Sequence, residues 1–524
     1  MTNDRTAAGL AIADLRLTRP KAAAPRHMPD WTLIASPVIT LVVMLWGIGA
    51  HPYSGDEMDT MSAVSRTVPQ LIRLLRHIDA VHGLYYLLLW PVARVAGTGQ
   101  FVTRLPSAVA MAAAAAGITA IARRLASRRA GLCAGLVFAA LPMVTAQAHN
   151  ARDYAAVTAA AVLASYLLLR AAADPRPALF AAYGLALVLT GYFQLFGLLL
   201  VPAHAVTLLH LLRRRHQAAG DRVDVPPVAV VRRWLITIMA AGLVMTPLAF
   251  IGWDERYQIA WIHGPNWLDV PDVVATLTAG PAAAAAVIAA LMVAGGIYGS
   301  APAALPGRGA LAAARSPDRG LAWLAVPWLV LPPVILVAVS EIKPVYFSRY
   351  ITFCLPAVAL LAGTGLAALR LPARAAALAL VVALVTPTQL AYRTPGGGME
   401  AVAQFLSAHK QPGDAIVYPD ASIPPWYLAY PAGFSRLRDL SMSLSPGAAG
   451  RLDGDTVPLP VLLQREHHVN RIWMLQSTWN PTTLLTAGFH LAHEWKVGGQ
   501  TVLLFTRGYK PAHPTEPGCR CVRA

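Results

Sequence analysis

Long apolar runs recur along this chain of 524 residues and restrict it to one broad class of fold. Windows of about 18 to 20 apolar residues follow one another from residue 31 to residue 391, and each is long enough to cross a hydrocarbon core of roughly 30 Å. The whole chain is 56% hydrophobic and 13% charged, with a mean hydropathy of +0.51, values that are atypical of soluble domains. The sequence therefore predicts a polytopic α-helical membrane protein.

Eleven windows qualify as membrane spans. They cover residues 31–50, 105–122, 130–147, 155–172, 177–192, 194–212, 234–251, 273–298, 321–340, 351–369 and 375–391. The run 177–212 is too long for one span, so we expect a tight turn near Gly191 and Gly197. A further apolar stretch, 82–95, is short and contains Pro91 and Arg94, and we expect it to lie in the membrane interface.

The distribution of Lys and Arg predicts the orientation. Loops on the side of the N-terminus (1–30, 122–129, 170–177, 213–233, 299–320 and 370–374) hold 22 of these residues, whereas the opposite loops between spans hold 9. Since basic loops stay in the cytoplasm, residues 1–30 are predicted to form a cytoplasmic tail and the C-terminus to lie outside the plasma membrane. The first span is predicted to be an uncleaved anchor. The net charge of +17 is therefore a topology signal, and we expect no nucleic-acid partner.

An acidic cluster follows the first span. The chain has 26 Asp and Glu residues, and three of them, Asp56, Glu57 and Asp59, fall within four positions. Charge beside a membrane span is costly unless it is solvated or functional. In the predicted orientation this cluster lies on the same outer face as Arg152 and as the loop that carries Lys343. The sequence therefore predicts a site at that face.

The first outer loop, 51–104, is long and is predicted to carry interfacial helices. Apolar residues recur at helical spacing between arginines, which is typical of an amphipathic helix in the headgroup plane: Val64, Leu71, Leu74, Leu75 and Ile78. Residues 82–95 would form a second such helix. Together the two helices could enclose a cavity that opens toward lipid.

Residues 393–524 differ from the membrane region 31–392. Their apolar runs shorten to strand length, which predicts a small extracytoplasmic α/β domain after a glycine-rich linker. No nucleotide-binding glycine motif occurs. Cys133 and Cys354 are expected to be core residues, Cys519 and Cys521 are badly placed to bridge each other, and no zinc-type spacing is present.

Several short segments, in order, resemble the GT-C superfamily of lipid-linked-sugar glycosyltransferases. The resemblance is to the branch that contains protein O-mannosyltransferases, aminoarabinose transferases and actinobacterial membrane mannosyltransferases, and it covers roughly residues 31–390. The segments are Gly55-Asp56-Glu57 after the first span, 79–86 with its His and two Tyr, Arg104 to Ser107 at the start of a span, 151–154, and Arg349-Tyr350.

The resemblance implies a membrane glycosyltransferase with a polyprenyl-phosphate sugar donor, expected to carry mannose, and an extracytoplasmic glycan, glycolipid or protein acceptor. It implies Asp56 as the catalytic base of an inverting displacement, with Glu57 in support. A carboxylate within hydrogen-bond reach can deprotonate an acceptor hydroxyl. The departing phosphate needs cationic donors, for which Arg152, Lys343 and Arg349 are the candidates.

Four further residues are candidate substrate contacts: His82, Tyr85, Tyr86 and Asp153. His82 would bind phosphate or sugar or have a structural role. Tyr85 and Tyr86 would stack on sugar or anchor the chain in the aromatic belt. Asn150 stands where some relatives have a carboxylate, so the role of that carboxylate would have moved to Asp153 or been lost.

Plainer alternatives stand beside these roles. Asp56 could be the N-cap of the following helix with Glu57 in its first turn, and Asp59 could simply be solvated. Arg349 could extend toward the membrane interface. The aromatic segments 253–255 and 257–267 could belong to an acceptor groove or anchor the membrane face.

No metal ion or other cofactor is predicted with certainty. A divalent cation between Asp56 and Asp153, with His149 or His82 nearby, is a conceivable addition. Two other functional classes compete with the enzyme: a transporter or flippase of lipid-linked sugars, and a non-catalytic scaffold that binds glycan. The nearly pure Ala, Leu and Val composition of most spans counts against the transporter.

Overall fold

The computed structural model describes residues 31–219, 226–262, 269–278, 281–300, 320–418, 422–423, 425–457, 461, 469–475, 484–485 and 488–508. The predicted tail 1–30, most of the basic loop 299–320, residues 263–267 of the aromatic segment, and Cys519 and Cys521 lie outside these ranges. From Thr32 onward the described residues form one compact unit. The boundary predicted at residue 393 therefore stays a prediction.

Helices dominate the described part of the chain. In chain order they are α1 (Thr32–Leu45), α2 (Gly55–Val64), α3 (Val68–Leu75), α4 (Gly83–Ala96), α5 (Gln100–Leu125), α6 (Arg128–Ala140), α7 (Pro142–Ala148), α8 (Tyr154–Ala173), α9 (Pro177–Phe193), α10 (Leu200–Ala219), α11 (Pro227–Asp254), α12 (Asp269–Thr278), α13 (Ala282–Ser300), α14 (Leu321–Ser340), α15 (Leu355–Ala368), α16 (Leu371–Ala391) and α17 (Gly398–His409). Short 3₁₀ segments cover Ala80–His82, Leu195–Leu199, Glu255–Ile259 and Ser348–Cys354.

Seven helices in the described ranges are long and apolar enough to cross a membrane, and nine if two bent pairs each count as one span. Each predicted window overlaps one of these helices, one of the bent pairs, or the shorter apolar helices α1 and α9. This is the architecture of a multi-pass membrane protein. The number eleven stays a prediction, because two of the predicted windows fall on those shorter helices.

Two predicted spans are bent rather than straight. The window 130–147 contains α6 and α7, which meet at an angle of 66° before Pro142. Proline lacks the backbone N–H and clashes with the preceding turn, so it ends α6 and opens α7. The window 273–298 likewise divides into two helical parts at 75°, on either side of residues that are outside the described ranges.

The membrane helices pack around α15, which is almost completely buried. Small residues make this possible. At Gly295 and Gly365, a Cβ atom would lie 1.9 and 2.0 Å from backbone oxygens of the opposite helix, so α13 and α15 touch backbone to backbone. Such close contact through small residues is a common way for helices to associate in a membrane.

The predicted amphipathic helix of the outer loop is two short helices. Val64 ends α2, and Thr67 opens α3 with Pro69 in its first turn. Leu71 and Leu74 of α3 are buried in the protein, so this helix packs on protein as well as presenting its arginines outward. The stretch 82–95 is helical, as α4.

In the residues that the structure describes, the C-terminal part includes α17, three one-turn helices and eight strands. The one-turn helices are α18 (Trp426–Ala429), α19 (Pro431–Phe434) and α20 (Pro446–Ala449), and the strands are β1 (Ala415–Val417), β2 (Ser422–Ile423), β3 (Arg438–Asp439), β4 (Met442–Leu444), β5 (Gly454–Thr456), β6 (Arg471–Leu475), β7 (Phe489–Val497) and β8 (Gln500–Arg507). A five-stranded mixed sheet has the order β3-β1-β6-β8-β7, and a small antiparallel sheet has the order β2-β5-β4. Apolar residues of α17 pack on one face of the larger sheet around Trp473.

Candidate active site

A cavity of about 310 Å³ lies where the ends of several membrane helices meet α2. Its walls come from α2, the turn Ala80–His82, the loop before α8, the C-terminal ends of α9 and α11, and the segment Ser348–Cys354. Leu452, from the C-terminal part, closes one side. The polar lining is unusually rich in charge and consists of Asp56, Asp59, Asp79, Asp153, Glu255, Arg152, Arg256, Arg349, His82, Gln194 and Gln258.

Asp56 and Arg349 meet inside this cavity. The guanidinium of Arg349 donates from Nη1 to Oδ2 of Asp56, and both side chains are about one quarter exposed. Arg349 also lies over the ring of Phe347, 4.5 Å from its centre. The capping alternative does not hold for Asp56, because Ser54 is the N-cap of α2 and accepts from the backbone N of Glu57 at 3.3 Å.

Glu57 is held away from the cavity in a buried ion pair. Arg104 of α5 donates to both of its carboxylate oxygens, at 2.7 and 2.9 Å. The backbone N–H groups of Ala151 and Ser54 donate to the same oxygens at 2.9 and 3.0 Å. Every carboxylate oxygen is therefore engaged, and Glu57 is only 2% exposed. The geometry favours a positioning and capping role over the catalytic role expected for Glu57.

His82 bridges two acidic residues at the cavity wall. Its Nδ1 lies 2.7 Å from Oδ2 of Asp153, and its Nε2 lies 3.7 Å from Oδ1 of Asp79. Burial and Arg152 lower the pKa of His82, but the two carboxylates outweigh them, and the pKa lies above its ordinary value. His82 is thus favoured in its protonated form, hydrogen-bonded to Asp153.

Asp79 stands at a strained point of the backbone. Its φ of 65° is in the left-handed region, which Asp adopts more readily than most residues because its short side chain bonds locally. Burial raises the pKa of Asp79, but His82, Arg152 and the hydroxyl of Tyr86 lower it by more. The pKa of Asp79 therefore lies below its ordinary value, and the carboxyl stays ionised. Strained residues of this kind cluster at functional sites.

Arg152 is almost completely buried between these groups. Its Nη1 donates to the hydroxyl of Tyr86 at 2.6 Å and lies 3.8 Å from Asp79, while the hydroxyl of Tyr86 donates to Asp79. Nε of Arg152 has no hydrogen-bond partner among the described residues, and neither has Oδ1 of Asp153 nor Nε of Arg349. Buried polar atoms without partners are rare, and at a cavity wall they mark positions where a ligand can bind.

Asp59, for which simple solvation was the alternative, lines the cavity. It lies one turn after Asp56 on α2 and is half-buried. Burial raises the pKa of Asp59 to about 7, with Arg152 acting in the opposite direction and Asp79 adding to the rise. At neutral pH a large fraction of Asp59 is therefore a neutral carboxylic acid, which can donate a hydrogen bond.

Three other candidates lie outside the cavity: Lys343, Tyr85 and Tyr86. Lys343 borders a neighbouring groove, with Nζ 4.9 Å from the ring centre of Trp253, so the phosphate-binding role expected for Lys343 is not supported. Tyr85 is buried, and its hydroxyl lies 3.1 Å from Oγ of Ser107. Because Tyr85 and Tyr86 are both buried, neither is an aromatic-belt anchor, and neither is among the residues that line the cavity.

The arrangement leaves little support for a metal ion. Within the described ranges no three His, Cys, Asp or Glu residues stand close enough together to hold one. Asp56 and Asp153 are engaged by Arg349 and His82 instead. His149 points elsewhere, with Nε2 2.7 Å from the backbone oxygen of Met44, and burial lowers its pKa to about 4.

Comparison with known proteins shows which family and which solved structures this chain resembles. Residues 84–220 match the sequence model of the family described as dolichyl-phosphate-mannose-protein mannosyltransferase. The fold is similar to the crystal structure of ArnT from Cupriavidus metallidurans bound to undecaprenyl phosphate, with a TM-score of 0.56 and 15% identity over 91% of this chain and 98% of that one. The chain resembles the GT-C glycosyltransferases. The predicted resemblance is thereby confirmed.

A second crystal structure agrees. ArnT from the same organism in the apo state gives a TM-score of 0.52 and 13% identity, over 90% of this chain and 97% of that one. No curated protein sequence matches the chain at a significant level. The predicted enzyme class, glycosyltransferase, is that of the matched family and of the GT-C proteins that share this fold.

Several residues of this cavity were not singled out from the sequence. Gln194 is 8% exposed, lines the cavity, and its Oε1 has no hydrogen-bond partner among the described residues. Gln258 and Trp261 also line the cavity, where the side chain of Gln258 hydrogen-bonds Glu255. The signal for Gln194 was present: it is the single strongly polar side chain in the predicted turn between two apolar runs.

Proposed function

We propose that this chain transfers mannose from a polyprenyl-phosphate donor to a hydroxyl group of a cell-envelope acceptor on the extracytoplasmic face of the plasma membrane. The observation that carries the proposal is the meeting of Asp56 with Arg349 in a cavity that also contains the buried Arg152. A base and two phosphate-binding cations are the groups that this reaction requires. The fold and the matched family support the reaction class.

In the proposed reaction Asp56 accepts the proton of the acceptor hydroxyl. The hydroxyl oxygen forms a bond to the anomeric carbon of the sugar as the bond from that carbon to the phosphate oxygen breaks. The electron pair leaves with the polyprenyl phosphate, and the configuration at the anomeric carbon inverts. General-base catalysis of this kind contributes typically 10²- to 10⁴-fold in rate.

Arg349 and Arg152 would stabilise the leaving phosphate. Arginine presents planar pairs of donors that match phosphate oxygens, and such donors are strongest in a site with little water. Both residues have an Nε atom without a hydrogen-bond partner among the described residues, so each has a donor to offer. The network of Tyr86 and Asp79 would hold the guanidinium of Arg152 in place.

Donor binding would also release the base. In the free chain Arg349 donates a hydrogen bond to Oδ2 of Asp56, so this oxygen is already occupied and is not open to an acceptor hydroxyl. A phosphate that draws Arg349 away would free Asp56 for the acceptor hydroxyl. The proposal therefore includes an order, in which the donor binds before the acceptor is activated.

The sugar would bind between the phosphate site and the ends of α9 and α11. The unpartnered Oε1 of Gln194 offers an acceptor for a sugar hydroxyl. Trp261 lines the same wall and presents a ring for the apolar face of a hexose. His82 and Asp153 would complete this side, with the free oxygen of Asp153 accepting from a hydroxyl.

The orientation is proposed on the charge distribution. The excess of Lys and Arg in the loops on the side of residues 1–30 supports a cytoplasmic N-terminus, which puts the cavity and the C-terminal part outside. The C-terminal part, 393–524, would act on the acceptor side, because Leu452 already forms one cavity wall. Mannose is proposed because the matched family is named for a mannosyl donor.

The test uses the purified chain in sealed vesicles with a radiolabelled polyprenyl-phosphate mannose. We expect label to be transferred to an envelope glycan, glycolipid or peptide added on the side where the cavity opens, with matching loss of the donor. Movement of labelled donor across the vesicle without any transferred product would instead support the flippase. Binding of glycan with neither transfer nor movement would support the scaffold, and either result would contradict the proposal.

A further inference from the structure

A second and larger concave surface lies on the membrane helices, away from the cavity. The α9–α11 groove, of about 490 Å³, runs from Pro177 to Val188 on one side and from Arg233 to Val244 on the other. Its walls are apolar except for Arg233 at one end and Thr237. Leu185 and Ile236 are both 61% exposed, so the groove faces the surroundings of the protein. In a membrane those surroundings are lipid.

The dimensions of the groove match one leaflet of a bilayer. Eleven residue steps along each helix correspond to roughly 16 Å, and half of a hydrocarbon core of roughly 30 Å is about the same length. The groove begins at the first residue of α9 and within the first two turns of α11, on the side where both helices enter the membrane. An extended acyl chain of a single leaflet would therefore fill it.

Basic side chains at the open end of the α9–α11 groove favour a lipid with an anionic headgroup. Arg233 donates from Nη1 to the backbone oxygen of Pro175, which orients the guanidinium at the mouth of the groove. Arg232 is exposed beside Arg233, and Arg176, which precedes α9 and pairs with Asp174 at 2.8 Å, is three-quarters exposed. A basic group at this depth attracts the phosphate of an anionic lipid.

The groove does not continue into the reaction cavity. At Gly191 a Cβ atom would lie 2.2 Å from Cε of Met245, so the two helices close on each other beyond Val188. Gln194 and Gly252, which line the cavity, follow at the opposite ends of the same helices. A molecule with its phosphate at Arg233 cannot also present that phosphate to Arg349, which excludes the sugar donor as the occupant.

We propose that the α9–α11 groove is a binding site for an anionic phospholipid of the leaflet opposite the reaction cavity. One acyl chain lies between the helices and the phosphate binds Arg233. The lipid fills the space between α9 and α11, whose far ends carry Gln194 and Glu255 of the cavity wall. The inference rests on the spans and the groove, and is independent of the transferase activity.

The test is retention of lipid by the purified, delipidated chain, measured by native mass spectrometry. Phosphatidylglycerol and phosphatidylcholine with identical acyl chains are added in competition. We expect about fivefold preference for phosphatidylglycerol in the parent chain, and loss of this preference in Arg233→Gln. Arg124→Gln, an exposed arginine at the end of α5, is the matched control and should keep the preference.

A second variant tests the apolar part of the site. Ala181 is exposed on the groove wall, so Ala181→Trp fills the groove without disturbing the helix bundle and should lower retention of both lipids. Equal retention of the two lipids by the parent chain, or a preference that survives in Arg233→Gln, would overturn the proposal. Displacement of phosphatidylglycerol by added polyprenyl phosphate would also overturn it, since it would make the groove part of the donor site.

Discussion

Arg104 and Glu57 form a buried ion pair with two hydrogen bonds, from Nε to Oε1 at 2.7 Å and from Nη2 to Oε2 at 2.9 Å. Arg104 also donates to backbone oxygens of Ile48 and His51, at the end of the first membrane helix. The pair therefore ties the start of α2 to α5 and to the loop before α8. Asp56 is the neighbour of Glu57, so the same pair determines where the proposed base lies.

Breaking this pair should destabilise the whole chain. Glu57→Ala leaves the guanidinium of Arg104 buried without its carboxylate, and such changes cost about 3–5 kcal/mol. The measurement is the unfolding temperature of the chain in detergent. Asp174→Ala is the matched control, because its ion pair with Arg176 is exposed and is expected to contribute about 0–1 kcal/mol. Equal shifts for the two variants would refute a structural role for Glu57.

The titration of Asp59 should appear in the pH dependence of stability. Its pKa is about 7 in the folded chain and about 4 when unfolded, so between these values the folded state binds more protons. The free energy of unfolding attributable to Asp59 therefore falls as pH rises from about 4 to about 7. Asp59→Asn removes this loss of stability. The increase in the unfolding temperature of Asp59→Asn over that of the parent should therefore be larger at about pH 8 than at about pH 5.

Gln404→Leu, on the exposed face of α17, is the control for that comparison, since this side chain carries no charge at either pH. Its difference from the parent should be similar at both pH values. If the gain of Asp59→Asn were also independent of pH, the carboxyl would not titrate near neutrality.

Gln194 should affect donor binding more than turnover. Gln194→Leu keeps the size of the side chain but removes the amide proposed to bind a sugar hydroxyl. We expect the KM for the donor to rise about five- to tenfold, with kcat changed less than about twofold. Gln404→Leu, on the exposed face of α17, is the control. A fall in kcat at unchanged KM would contradict the proposal that Gln194 binds the sugar of the donor.

Arg349 and Lys343 are only six residues apart in the chain, but we expect their substitutions to have very different effects on kcat. Arg349→Ala removes a side chain that is proposed to donate hydrogen bonds to the phosphate, and it should lower kcat about 100-fold or more. Arg349→Lys keeps a positive charge at this position and should therefore retain part of the rate. Lys343→Ala should change kcat less than about threefold, because this side chain lies against Trp253 outside the cavity. Similar losses of kcat in Arg349→Ala and Lys343→Ala would contradict the proposal that the phosphate binds at Arg349.

The sequence was most informative where hydropathy alone determines structure. The window 155–172 corresponds to Tyr154–Ala173, because an apolar segment of that length forms a helix in lipid. The bend before Pro142 was missed, since hydropathy continues unchanged through it. The individual roles were harder to predict: Glu57 could be assigned to an ion pair only once Arg104, far away in the chain, was placed beside it. Lys343 lies on the expected loop but turns to a different groove.

Loss of transfer in Asp56→Asn is the most direct test of the central claim, that this carboxylate is the catalytic base. The variant keeps the size of the side chain and a hydrogen-bonding group near Arg349, so the chain should fold with an unfolding temperature close to that of the parent. We expect transfer of mannose from polyprenyl-phosphate mannose to fall about 10²- to 10⁴-fold, while donor binding is retained. Full activity in a folded Asp56→Asn chain would contradict the account.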